Sequence, residues 1–348
     1  MKKTSVVAIN LRTVRIPAAI CVFLMCVFIS TLLCKSLPPL HIGKDFSRLL
    51  LSSGNFISNK AVPPTGIFSL LTVSPKVVSA EKEIVPVPAT TVQSPPQNIA
   101  ARTPAVASGA AVKISNSTDV DINAQDYLSP AVQFLKEDFS VLIVHTHTTE
   151  SYTPSEKYQY TPSDTDRTTD KNYNMVRVGD EIEKVLSEKG IKVYHDTTIN
   201  DYPSYNGSYN KSAANISNYI KNDPSIKIVL DVHRDAIEGQ NGEKIKYASP
   251  INGESAASVM LVVGSNLSGL EHNNWENNMR FATQLQSYIS SIYPTLMRPI
   301  NFRSQRFNQQ LAPGGIIVEV GTNGNTLDEA LLGAKYFAEG LAGFIKLK

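Results

Sequence analysis

The sequence predicts an α/β fold, a mostly parallel twisted sheet with helices on both faces. Two observations carry this expectation. Short unbroken runs of aliphatic, largely β-branched residues, such as Val141-Leu-Ile-Val144, read as strands covered on both sides. Between them lie longer stretches with apolar residues at helical spacing. Strands that alternate with helices in this way argue for a parallel sheet between helical layers.

Taken in order, residues 141–144 are the first strand of the predicted domain. Residues 173–189 show helical periodicity through Met175, Val178, Ile182, Val185 and Leu186, and Gly190 supplies the C-cap. Residues 191–194 are a strand, 211–221 a helix and 226–232 a third strand. After a polar insertion come a strand at 259–263 and a long helix at 274–292. Residues 315–320 are the last strand and 327–347 a closing helix. Ligands of such sheets bind outside the C-terminal ends of the strands.

The rest of the chain reads differently. Its 348 residues allow one or two domains. A net charge of +2, with no basic run interleaved with aromatics, points away from a nucleic-acid partner. No acidic residue precedes Asp45, whereas Lys2, Lys3, Arg12 and Arg15 precede an uncharged run of 18 residues at 16–33. Such a run is just long enough to span a bilayer, and the basic flank keeps its N-terminal side in the cytoplasm. The expected organisation is a cytoplasmic tail at 1–15, a transmembrane anchor at 16–34 and a juxtamembrane region with a Pro/Ala/Ser-rich linker at 35–125. The catalytic domain follows at 126–348, outside the membrane. A cleavable secretory peptide is the competing reading of the apolar run, and it also exports the bulk of the chain. All three cysteines, Cys21, Cys26 and Cys34, fall in or beside that run. The exported part therefore holds no thiol, and its chemistry is left to His, Asp, Glu and hydroxyl groups.

Three strands end in residues foreign to a core. The first runs into His145, His147 and Glu150, the third into Asp231-Val-His233-Arg234-Asp235, and the last carries Glu319 with Asn323 beyond it. A buried unpaired carboxylate costs several kcal/mol, so Glu319 between Val318 and Val320 needs a partner or a task. Neutral imidazole is the commonest metal ligand, and Zn²⁺ takes imidazole and carboxylate readily. Two or three such ligands with an open position describe a catalytic zinc. His195 reads as a loop residue and His272 as a solvated one. GxSxG, GxGxxG and phosphate-binding glycine loops are all absent, which argues against serine hydrolase, dinucleotide and NTPase functions.

Four segments together resemble the stage II sporulation protein P family: His145-Thr-His147-Thr-Thr-Glu150-Ser-Tyr152, Asp201-Tyr-Pro-Ser-Tyr-Asn206-Gly-Ser-Tyr209, Asp231-Val-His233-Arg234-Asp235-Ala236 and Val318-Glu319-Val-Gly321-Thr-Asn323. The resemblance covers about 126–348 and extends to the anchor and tether. It implies an amidase-like fold related to zinc-dependent N-acetylmuramoyl-L-alanine amidases. It also implies hydrolysis of peptidoglycan, at both the sugar–peptide amide and the peptide cross-links. The implied setting is the space between mother cell and forespore during engulfment, with stage II sporulation proteins D and M as partners. Carried over residue by residue, His233 matches the second zinc-ligating histidine and Glu319 the catalytic glutamate. The first histidine is His145 or His147, because the usual glycine-rich turn is missing. Glu150 stands in for the glutamate ligand, since Asp170-Lys-Asn172 occupies its usual place. Arg234, Asp235 and Asn323 are expected to bind substrate. A non-catalytic wall-binding module and a metal-dependent polysaccharide deacetylase are the alternatives.

Overall fold

The computed structural model describes residues 99–102, 112–163 and 165–347. They belong to one compact unit, residues 86–348. The expected tail, the anchor at 16–34 and most of the linker lie outside the described residues. Among the described residues no helix is long and apolar enough to cross a membrane.

Ten strands and four longer helices build the unit. The strands are β1 (Ile99–Arg102), β2 (Ile114–Asn116), β3 (Ser140–Val144), β4 (Val193–His195), β5 (Ile226–Asp235), β6 (Lys244–Ile251), β7 (Glu254–Ala257), β8 (Val259–Val263), β9 (Ile300–Phe302) and β10 (Gly314–Thr322). The helices are α1 (Met175–Glu188), α2 (Ser208–Asn222), α3 (Trp275–Ile292) and α4 (Leu327–Lys346). Seven strands form the main sheet in the order β2-β9-β8-β10-β5-β3-β4, and β1-β6-β7 form a second, smaller one. Every pairing in the main sheet is parallel except β8 with β10. The α/β expectation and its mostly parallel sheet are what the structure has.

The burial of β3 explains its composition. All five of its residues are sealed from solvent, because side chains alternate and both faces are covered. Val141 and Ile143 join the larger core with Val178 and Ile182 of α1, Phe281 of α3 and Phe337 of α4. Leu142 and Val144 face the other way, against Ile216 of α2. Each fully buried aliphatic side chain contributes roughly 1.5–3 kcal/mol as an upper estimate. Three helices thus cover one face and α2 the other. α1 begins where the Asn174 side chain accepts from the Val176 N–H, and it ends before Gly190, whose φ of 78° suits a residue without a Cβ.

The structure departs from expectation at the edges. The domain begins before residue 126, because β2 lies parallel to β9 with Ile114 opposite Ile300. The polar insertion after β5 is the hairpin β6–β7, closed at Asn252 and Gly253, both at positive φ. That Asn-Gly pair matches the mirror-image turn that a two-residue hairpin favours.

Candidate active site

β3, β5 and β10 are neighbours at the centre of the sheet, so their C-terminal ends open onto one place. Register decides which side chains share it. Val144 pairs with Asp231, and Glu319 with His233. Asp231, His233 and Glu319 therefore project from the α2 face of the sheet.

His147, beyond the end of β3, turns to this same face. Its ring stacks on Tyr205 at 4.4 Å between centroids and stands edge-on to His233 at 5.2 Å. Tyr205 Oη lies 3.0 Å from His147 Nε2, and Ser208 Oγ of α2 lies 3.4 Å from Nδ1. Glu150 completes the group, with Oε2 3.4 Å from His233 Nδ1. His145 does not join it. Its ring lies on the α1 face, where Nδ1 donates to the Val232 carbonyl at 3.0 Å and Nε2 meets His195 Nε2 at 2.8 Å. Of the two histidines left open by the sequence, the structure brings His147 to Glu150 and His233.

The turn between them is held by two buried carboxylates. Asp231 accepts from the Thr146 N–H at 2.8 Å and from its hydroxyl at 2.6 Å, and its Oδ1 lies 2.9 Å from His233 Nε2. That last approach is close but poorly aligned, and His233 Nε2 makes no well-directed hydrogen bond among the described residues. Asp201 accepts from the Thr149 N–H at 3.1 Å and from its hydroxyl at 2.7 Å, and pairs with Arg167 at 2.6 Å. The sequence marks Asp201 as part of a motif but offers no sign of this task. Nothing in the polar stretch around Asp166 and Arg167 signals their importance either.

Electrostatics follow from this packing. Burial pushes His147 down to about 4. Burial also works against the charged form of His233, but Asp231 and Glu150 outweigh it and hold the imidazole well above its usual value. For Glu150, burial is overcome by its hydrogen bond to His233 and by the charges of Arg234 and Arg167, so its carboxyl is held low. Glu319 goes the other way, pushed up to about 8 by burial and by the charge of Asp235. One of its oxygens, Oε2, is sealed and finds no hydrogen-bond partner among the described residues, although the side chain as a whole reaches partly to solvent.

The three residues expected to meet substrate are placed otherwise. Arg234 is buried, and its guanidinium donates to the carbonyls of Ser151 (2.8 Å), Asp166 (2.9 Å) and Asp235 (3.3 Å). Its backbone N–H donates to Glu150 Oε2 at 3.3 Å, so Arg234 steadies the turn behind the site. Asn323 is buried as well and donates to Asp166 Oδ2 at 3.1 Å. Asp235 pairs with Arg298 at 2.9 Å. His272, expected in solvent, is 1% exposed. The loop that carries it folds back between β8 and the 303–307 segment, through bonds such as Ser268 N–H to the Ser304 carbonyl.

The set His147, Glu150 and His233 fits a zinc ion in the kind of its donors. A ligating histidine ordinarily gives its second nitrogen to a carboxylate, and Asp231 stands at that position beside His233. The 3.4 Å between Glu150 Oε2 and His233 Nδ1 matches the edge of a tetrahedron with metal bonds of about 2.0–2.1 Å. His147 stands somewhat apart. Among the described residues, the group whose donor atoms all lie within 4.8 Å of one another is another one, Asp180, Glu183 and His195.

Fold and site together define a mixed α/β domain that gathers imidazoles and carboxylates at the ends of parallel strands. The family model described as Stage II sporulation protein P (SpoIIP) matches residues 70–342, and the chain belongs to that family. Stage II sporulation protein P of Bacillus subtilis (strain 168) is 28% identical over 218 residues, which cover 60% of this chain and 51% of that protein. The chain thus spans about half the length of the curated relative it matches. Among solved structures, it is similar to the CwlD amidase from Clostridioides difficile in complex with the GerS lipoprotein (8% identity, 60% of this chain, 100% of that one, TM-score 0.38). It is also similar to the N-acetylmuramoyl-L-alanine amidase from Clostridium difficile 630 (16% identity, 61% of this chain, 97% of that one, TM-score 0.35).

Proposed function

We propose that this chain is a membrane-anchored peptidoglycan hydrolase of sporulation. It cuts the amide between N-acetylmuramic acid and L-alanine, and peptide cross-links, with zinc held by His147, Glu150 and His233. The observation that carries this reading is the gathering of those three side chains with Glu319 on one face of the sheet, at the ends of three adjacent strands. The anchor at 16–34 places the domain outside the cytoplasm, between mother cell and forespore, where stage II sporulation proteins D and M are the partners that family membership suggests.

Zinc, when bound, supplies Lewis acidity that polarises the scissile carbonyl and lets water attack near neutral pH. The protein does the rest. Glu319 takes the proton of the attacking water at its unpaired Oε2 and returns it to the leaving amine. Asp231 holds His233 in one orientation, and the Arg234 N–H fixes Glu150. Tyr205 and Ser208 set the plane of the His147 ring. Arg234 and Asn323 act as positioning residues through the loop at Asp166.

Mass analysis of products from muropeptides tests the reading. Release of intact stem peptide from the sugar is the expected result. Release of acetate with stem peptides still attached would indicate a deacetylase, and binding without turnover a wall-binding module. Glu319→Gln is expected to lower the rate by about 10²–10⁴-fold while the thermal midpoint holds.

A further inference from the structure

On the α1 side of the sheet, away from Glu319, two histidines meet beneath the helix. His145 Nδ1 lies 3.0 Å from the Val232 carbonyl. A carbonyl only accepts, so Nδ1 carries the proton and Nε2 is left bare. The contact of 2.8 Å between His145 Nε2 and His195 Nε2 then requires the proton to sit on His195 Nε2. His195 consequently turns the lone pair of Nδ1 toward whatever lies beyond. What lies there is Glu183 Oε2 at 3.2 Å and Asp180 Oδ1 at 3.3 Å, and carboxylates also only accept. Three electron pairs converge with no hydrogen among them, so a positive charge must stand between. A second proton on His195 or a metal cation would serve.

We propose that Asp180, Glu183 and His195 form a second divalent-metal site, for a first-row cation such as Mn²⁺ or Zn²⁺, on the face of the sheet opposite the candidate active site. Separations of 3.2 and 3.3 Å are long for an N–H shared between two acceptors. They match the edges of a coordination shell with bonds of about 2.0–2.2 Å. The His195 side chain is only 4% exposed and rigidly aimed, whereas the carboxylates are 48% and 41% exposed and leave solvent to complete the shell. Asp180 and Glu183 are three residues apart on α1, hence neighbours on its surface. Gly179 beside them brings the helix backbone onto the two rings. A methyl group there would run into His195 and come within 2.7 Å of His145 Nε2. The chain from Val232 through His145 to His195 is the second-sphere arrangement that fixes a ligating imidazole. One imidazole with two carboxylates suits the harder end of the divalent series.

The site is independent of the hydrolytic reading, and its test does not use activity. The full chain, stripped of metal, is dialysed against Mn²⁺, and bound metal is counted for the wild type and for D180N/E183Q. Both substitutions are at half-exposed side chains, and the new amide groups can donate to the bare Nδ1. The wild type is expected to hold one more equivalent than the double variant. Saturating Mn²⁺ should raise the wild-type thermal midpoint by several degrees through this site, with that part of the shift lost in the variant. Equal Mn²⁺ content in the two proteins, with equal shifts, would overturn the proposal and leave a proton as the charge between the three groups.

Discussion

Asp231 links the two halves of the candidate site. It takes both donors of Thr146 and approaches His233, so one carboxylate sets the path of the chain between His145 and His147 and the bearing of the second imidazole. Residues two apart on a strand share a face, yet these two histidines do not. Pairing of β3 stops at Val144, and the chain turns through Thr146. That turn depends on Asp231, 85 positions away, which is why the sequence left both histidines open. The difference is measurable. His147→Ala should lose bound zinc and at least about 100-fold in hydrolysis, the scale at which even orienting partners of metal ligands act. His145→Ala strips His195 of a buried partner and should cost about 1–3 kcal/mol in urea unfolding. Hydrolysis by the folded fraction should stay within a few-fold.

His272 offers a second test at this scale. Its ring is 1% exposed, with no hydrogen-bond partner for either nitrogen among the described residues. Burial, assisted by the charge of Arg306, pushes it down to about 4 from 6.5. The unfolded chain therefore binds a proton between those values that the folded one refuses, and stability falls as the pH drops through this window. The loss should approach about 3 kcal/mol by pH 4. His272→Leu should flatten that part of the urea midpoint against pH. An unchanged slope in the variant would show that His272 is not its source.

At the scale of elements, strong periodicity was legible and short pieces were not. α1, α3 and α4 each show apolar residues at helical spacing, and their observed ends lie within two residues of the expected ones. β2 and β9 have three residues each, too few to display a period, and are strands because they pair with each other. The β6–β7 hairpin was signalled by Asn252-Gly253, although its flanks are too polar to suggest strands. α4 carries a further signal in Thr326 and Glu329, a capping box in which the Thr326 side chain accepts from the Glu329 N–H and Glu329 accepts from the Thr326 N–H. Thr326→Ala should cost about 1 kcal/mol in urea unfolding and leave hydrolysis unchanged.

For the whole molecule, the alternation of elements foretold the sheet, and the sheet foretold that functional residues would stand at C-terminal strand ends. The order β10-β5-β3 was not readable, because it depends on which strands find one another in the folded chain. That order makes His147, His233 and Glu319 neighbours. The same burial that places them also explains the misjudged residues. Arg234 and Asn323 looked like exposed functional groups, but a tight strand-end turn has carbonyls and carboxylates that need donors, and these two side chains supply them.

The central claim is that this domain hydrolyses peptidoglycan with a metal at His147, Glu150 and His233. The most direct measurement is stem-peptide release from purified muropeptides by the full chain, before and after metal is stripped by a chelator and zinc is restored. Release should fall to background on stripping and return with zinc in the wild type, but not in His233→Ala. Undiminished release from protein shown to hold no metal would contradict it.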